Sequence, residues 1–180
     1  LKDYAEFVHK FLKENNIKEP IIIGHSFGGA VAIKLALLYP NNISKLILVS
    51  ASAIRHPRYK IMLINKIAGF TKLFLPEQLR KILIKLLRLN KTDYAQINNP
   101  KLKETFKNII NEDQSPYLSN IKIPTLVIWG EKDTVTPLQE GELIAKSIPN
   151  AKLSIIKNAG HFRFLENPEE FTKLIKDFIL

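Results

Sequence analysis

Apolar residues along this chain fall into two kinds of run. Four are short, continuous and rich in branched aliphatics, at 20–24, 43–50, 124–130 and 151–156. The continuous core of such a run, as in Leu46-Ile47-Leu48-Val49, is too hydrophobic for a sheet with one wet face and predicts strands of a parallel sheet covered by helices on both sides. The other runs have helical spacing. Residues 2–14 bring Tyr4, Phe7, Val8, Phe11 and Leu12 to one face, and residues 27–38 are apolar along most of their length. Two further helices are predicted at 138–148 and from Asn167 to the C-terminus. Their ends are marked: Tyr39-Pro40-Asn41-Asn42 stops one helix, because proline cannot continue it and asparagine tolerates turn geometry. Thr136-Pro137 predicts an N-cap and a first helical residue. Asn167-Pro168-Glu169-Glu170 gives a cap, a proline and two acids in a first turn. Strands alternating with helices in this rhythm imply right-handed parallel crossovers.

The loops after three of these strands carry the candidate chemistry. The first strand runs into Gly24-His25-Ser26-Phe27-Gly28-Gly29, a Gly-x-Ser-x-Gly pattern on a strand-to-helix turn. A serine hydroxyl is a weak nucleophile, so it must be held proud of the surface beside a base, and such a turn does this. Gly24 and Gly28 remove side chains where the backbone doubles back, and Gly29 lets the helix lie close on the strand. The third strand opens onto Glu131-Lys132-Asp133, and the fourth ends in Ala159-Gly160-His161. Ser26, Asp133 and His161 therefore all follow carboxyl ends of strands in one sheet, where open α/β folds build their sites.

The order Ser, Asp, His, with Gly-His-Ser-Phe-Gly-Gly, Trp-Gly-Glu-Lys-Asp and Ala-Gly-His, closely resembles the α/β-hydrolase superfamily of serine hydrolases over nearly the whole chain. The resemblance implies that Ser26 is the nucleophile, His161 the general base, and Asp133 the acid that orients the imidazole. It makes the backbone N–H of Phe27 one half of an oxyanion hole, and His25 a residue that supports the elbow. Glu131 competes with Asp133 as a carboxylate on the same loop. The end of the second strand, Ser50-Ala51-Ser52-Ala53, where some members of the superfamily keep their acid, offers no carboxylate. His9 is expected to be solvated on the first helix, His56 is assigned no role, Trp129 is expected in the core, and Phe162 and Phe164 flank the histidine loop.

In the superfamily, the helix before the nucleophile strand comes after about four strands, and a loop among them gives the second oxyanion donor. Neither that half of the sheet nor a His-Gly-Gly-like loop occurs in this sequence, which begins at Leu1. The expectation is an N-terminally truncated fragment with the last four strands of the sheet. Its nucleophile strand would expose a hydrophobic edge, its second oxyanion donor would be missing, and its activity when isolated would be low.

With 180 residues, 46% of them hydrophobic, the chain is long enough for one globular domain. Cysteine is absent, which excludes a disulfide framework and fits a reducing cytoplasm as well as export; cytoplasmic is the expected location. No apolar run is long enough to span a bilayer. The net charge of +10 is concentrated: between Ile54 and Ile110 there are 13 Lys and Arg against Glu77, Asp93 and Glu104. This divides the chain into hydrolase core (1–53), an inserted segment (54–118) and core again (119–180). The superfamily carries a helical cap over the active site at this point, and helical runs are predicted at 59–74, 76–89 and 100–111. The run from Leu79 to Leu89 joins a broad apolar face to four cations. It suits a lysine-rich face over a buried seam, or a surface that associates weakly with anionic membranes or substrates. Nucleic-acid binding is not expected, since no recognition motif accompanies the charge. No His, Asp and Glu grouping has metal-ligand spacing, and no cofactor is implied.

The functional expectation is a serine hydrolase acting on carboxylic esters, a small-molecule acyl substrate, through an acyl-enzyme. Ser26 argues against the Asp-nucleophile branches of the superfamily. It leaves open a lipase, amidase, carbon–carbon bond hydrolase, thioesterase or acyltransferase, as well as a non-catalytic binding or membrane-associated module that keeps the elbow as scaffold.

Overall fold

A computed structural model of the chain describes residues 1–54, 99, 104 and 112–180, with the backbone alone at Arg163. The helical runs predicted within 59–111, and His56, lie outside the described residues apart from Asn99 and Glu104. Leu1–Ile54 and Glu112–Leu180 form one compact unit.

Its element order is α1 (Lys2–Glu14), β1 (Ile21–His25), α2 (Phe27–Leu38), a 3-10 turn (Pro40–Asn42), β2 (Lys45–Val49), a second 3-10 segment (Ser115–Asn120), β3 (Thr125–Gly130), α3 (Leu138–Ser147), β4 (Ala151–Ile156), α4 (Arg163–Glu166) and α5 (Pro168–Ile179). The four strands form one sheet in the order β1-β2-β3-β4, and every neighbouring pair is parallel. All four predicted strands are present, in the parallel arrangement that their continuous hydrophobicity implied.

Alternation along β2 and β3 shows why those strands are apolar after their first residues, Lys45 and Thr125. Leu46, Leu48, Val127 and Trp129 enter a core shared with α1, α2 and α3. Ile47, Val49, Leu126 and Ile128 enter a second core on the other face, against Phe171, Leu174, Ile175 and Phe178 of α5. With both faces covered, the centres of these strands carry apolar side chains, and the buried Thr125 at the start of β3 satisfies its hydroxyl on the Ile123 carbonyl at 2.9 Å. The α2 helix is apolar nearly all round because it lies between the sheet, α1 and Ser115–Asn120.

Helix α1 corrects the sequence reading. Its buried stripe is Ala5 and Leu12, with Leu1 and Val8 packed beside them, and this is the face that meets α2. Phe7 and Phe11 are instead exposed, at 71% and 52%. The helix has two apolar stripes, and the one of smaller residues allows the closer approach to α2. His9 is not simply solvated: its ring stacks on Tyr39 with centroids 3.7 Å apart. In the described sheet β1 has a strand neighbour on one side, and Ile23 is 51% exposed.

The caps differ in one informative place. Asn167 caps α5 as expected, its side chain accepting from the Glu170 N–H. At α3, however, Pro137 occupies the N-cap position and Thr136 makes no capping bond. The Thr136 hydroxyl donates to Asp133 instead.

Candidate active site

Ser26 stands between β1 and α2 with φ 52° and ψ −117°, a conformation that costs on the order of 1–3 kcal/mol and persists only where neighbours over-determine it. The neighbours are identifiable. The Ser26 N–H donates to the Val49 carbonyl at 3.0 Å, and the Ser26 carbonyl accepts from Gly29 at 3.0 Å and from the N–H of Ser52 at 2.9 Å. The elbow is thus strapped to the end of β2 on both sides of residue 26. A Cβ on Gly24 would meet the Gly28 carbonyl oxygen at 2.5 Å, and one on Gly29 would meet the Cβ of Ala51 at 2.5 Å, so both positions require glycine. Gly28 departs from the sequence reading: among the described residues a Cβ there meets nothing within 4 Å. Phe27 is the first residue of α2, and its N–H belongs to the N-terminal set that an α-helix leaves without intrahelical partners.

The acid and histidine loops converge. His161 donates from Nδ1 to Asp133 at 2.9 Å to Oδ2 and 3.2 Å to Oδ1. With Nδ1 carrying the proton, the lone pair of the imidazole is on Nε2. The Asp133 side chain is wholly buried and that of His161 nearly so. The Asp133 carboxylate is also saturated with donors: the N–H groups of Val135 and Thr136 reach Oδ1 at 2.9 Å each, and the hydroxyls of Thr136 and Ser50 reach Oδ2 at 3.0 and 2.5 Å. Burial by itself would raise the carboxyl pKa. The donation from Ser50, Thr136, His161 and Val135 outweighs it and lowers the pKa to about 2, so Asp133 is an anion at neutral pH.

Glu131, the competing acid, accepts instead from the Asn158 N–H at 3.0 Å. It fastens the start of the histidine loop, and the carboxylate facing the imidazole is that of Asp133. Trp129, fully buried in β3, donates from its indole to the Thr136 carbonyl at 2.8 Å and so anchors the acid loop to the core. His25 links the remaining pieces. Its Nε2–H donates to the carbonyl of His161 at 3.0 Å, and its ring lies 4.8 Å from the His161 ring and 5.2 Å from Phe164, centroid to centroid. Phe162 and Phe27, half-exposed beside these loops, add an apolar surface around them.

Sequence reasoning missed Ser50 and Thr136. For Thr136 the Thr-Pro pair was a misleading cap signal. For Ser50 no local signal was present: it follows an apolar strand as an ordinary serine would, and its partner lies 83 residues away.

A parallel sheet with a serine on a strained strand-to-helix turn, and with acid and histidine loops at the same ends of its strands, defines an α/β hydrolase. The model of the family described as serine aminopeptidase, S33, matches residues 1–168, and the chain belongs to this family. It is 28% identical over 198 residues to monoacylglycerol lipase ABHD6 of Mus musculus, covering 96% of this chain and 59% of the relative. It is 29% identical over 194 residues to 2-hydroxy-6-oxo-6-phenylhexa-2,4-dienoate hydrolase of Burkholderia cepacia, covering 97% of this chain and 68% of that protein. Among solved structures it is similar to Est816, described as an N-acyl homoserine lactone degrading enzyme, with 26% identity, a TM-score of 0.69, and coverage of 98% of this chain and 74% of that one. The chain thus spans somewhat more than half the length of the ABHD6 lipases it matches. Among the described residues no helix is long and apolar enough to cross a membrane.

Proposed function

We propose that this chain carries the nucleophile, base and acid of a serine hydrolase that cleaves carboxylic esters through an acyl-enzyme. The observation that carries the reading is the buried Asp133–His161 pair, which fixes the imidazole as the Nδ1–H tautomer and leaves Nε2 as its basic atom. Ser26 is the nucleophile. As its Oγ attacks the carbonyl carbon, Nε2 of His161 takes the hydroxyl proton, and the ionised Asp133 stabilises the imidazolium that forms. The oxyanion is received by the N–H of Phe27, the residue after the nucleophile. The imidazolium returns the proton to the departing alkoxide, then His161 activates water to release the acid and restore Ser26.

Esters are favoured because a monoacylglycerol lipase, whose name points to an ester bond, is among the proteins this chain resembles. A second reading, hydrolysis of a carbon–carbon bond next to a carbonyl, is supported by the similarity to the hexadienoate hydrolase. Both use the same three residues, and the acyl pocket decides between them. The basic segment between Ile54 and Ile110 would attract anionic substrates or surfaces to the same enzyme.

Hydrolysis of p-nitrophenyl butyrate tests the reading. Slow turnover by the chain that disappears in Ser26→Ala and in His161→Ala is expected; turnover of equal rate in Ser26→Ala contradicts it.

A further inference from the structure

We propose that Ser50 is a positioning residue for the reaction: its hydroxyl, delivered from the end of β2, holds the Asp133 carboxylate in the orientation that faces His161. The inference rests on the reading of Asp133 and His161 as catalytic partners and assigns a role to a residue outside the three.

The Asp133 carboxylate receives two classes of donor. The N–H groups of Val135 and Thr136 and the Thr136 hydroxyl come from the acid's own loop, two and three residues on. They fold the loop around the carboxylate, and the Trp129 indole ties that loop to β3 through the Thr136 carbonyl, but none of them links the carboxylate to β2, the strand that holds the Ser26 backbone. Ser50 comes from another strand, 83 residues away in sequence, and its Oγ–H donates to Oδ2 at 2.5 Å. Oδ2 is also the oxygen that accepts more closely from His161 Nδ1. A hydroxyl bound to an ionised carboxylate in a buried site is among the stronger hydrogen bonds a neutral side chain makes, and it is directional.

Two further observations separate Ser50 from an ordinary buried serine. Its side chain is fully enclosed, and its backbone lies in the left-handed region, with φ 44°. A non-glycine residue in this region is strained, and the strain is sustained only where surrounding bonds over-determine it. Those bonds are shared with the nucleophile. The Ser50 N–H is held by the Ile128 carbonyl of β3, the residue before it accepts from the Ser26 N–H, and Ser52 donates to the Ser26 carbonyl. Residues 49–52 therefore grip the backbone of Ser26 and, through one side chain, the carboxylate of Asp133. Acid and nucleophile are referred to the same four residues, which fixes the distance between them without direct contact.

A purely backbone role for residue 50 makes a different prediction from a hydroxyl role, and the pair Ser50→Ala and Ser50→Gly separates them. Glycine relieves the φ strain and lacks the hydroxyl; alanine keeps the strain and lacks the hydroxyl. Each variant is first checked by circular dichroism and thermal unfolding, and Ser50→Gly carries the test if Ser50→Ala fails to fold. Two readouts are taken: kcat and KM on p-nitrophenyl butyrate, and the carboxyl titration of Asp133 followed by carbon-13 NMR, with His161 as the titratable group facing it. Folded Ser50→Gly is expected to lose about tenfold or more in kcat with KM within about twofold, and to show the Asp133 midpoint moved up from about 2. Wild-type kcat together with an unchanged Asp133 midpoint in Ser50→Gly overturns the proposal. A wild-type chain without esterase activity, in which Ser50→Gly still shifts the Asp133 midpoint, refutes the ester-hydrolase reading and retains Ser50 as the residue that positions Asp133.

Discussion

The imidazole of His25 donates from Nε2 to the backbone carbonyl of His161 at 3.0 Å, joining the residue before Ser26, the proposed nucleophile, to His161, the proposed base. This bond spans 136 residues of sequence and ties the elbow to the far end of the sheet. Its effect is on distance: the histidine loop cannot drift from Ser26 while it is intact. His25→Ala is expected to lower stability by about 1 kcal/mol, the worth of one hydrogen bond, and kcat by roughly tenfold through misplacement of His161. Steady-state kinetics beside a thermal melt checks this; an unaltered kcat in a folded variant would limit His25 to packing.

The two acids of one loop are expected to behave differently. Asp133→Asn removes the charge that stabilises imidazolium and offers His161 an amide that favours the wrong tautomer, so kcat should fall by about 10⁴-fold. Glu131→Gln leaves an acceptor for the Asn158 N–H and should change kcat by less than about threefold. A comparable loss in both variants, measured on the same ester, would contradict the assignment of Asp133 as the partner of His161.

Asp133 also makes folding pH-dependent. Its folded-state pKa of about 2 lies below the ordinary aspartate value, so the native state binds its proton less readily than the unfolded chain does. The resulting stabilisation is fully present above about pH 5, declines as pH falls through the unfolded value near 4, and is gone below about 2. It amounts to about 2 kcal/mol. Urea unfolding from pH 6 down to pH 2.5 should show this loss in the wild type and a shallower one in Asp133→Asn. Parallel curves would mean that other carboxylates account for the acid sensitivity.

Within the elbow, glycines of the same motif are not equivalent. Gly24→Ala drives a Cβ into the Gly28 carbonyl and should cost several kcal/mol or abolish folding, as about 3 kcal/mol or more follows from overpacking against backbone. Gly28→Ala meets open space among the described residues and adds helix propensity in the first turn of α2, so it should be neutral or stabilise by up to about 1 kcal/mol. Melting temperatures of the two variants compare them directly; a similar large drop in both would contradict the geometry of the turn.

These contrasts also show where sequence reading reached and where it stopped. The strands were legible because both faces of β2 and β3 are buried, leaving hydrophobicity no room to alternate. Ser26, Asp133 and His161 were legible as candidates because each follows a strand end in a motif of small or polar residues. Ser50 was not visible, because a serine after an apolar strand is ordinary by composition. Its significance lies in a bond to a residue 83 positions away and in a backbone angle, neither of which local pattern encodes. Thr136 was misread for a related reason: a threonine before proline is a good helix cap in isolation, and only the neighbouring carboxylate diverts its hydroxyl. On α1 the apolar positions were correctly recognised, but two stripes competed, and packing against α2 selected the one of small residues.

The most direct test of the central claim is covalent capture of Ser26. A fluorophosphonate reacts only with a serine whose proton is taken by an adjacent base, and the adduct can be read by intact mass and located by peptide mapping. The expected result is one probe per chain on the peptide containing Ser26, absent in Ser26→Ala and strongly slowed in His161→Ala. A folded wild-type chain that takes up no probe, or one labelled equally well after Ser26→Ala, would contradict the proposal that Ser26, His161 and Asp133 work as a nucleophilic unit.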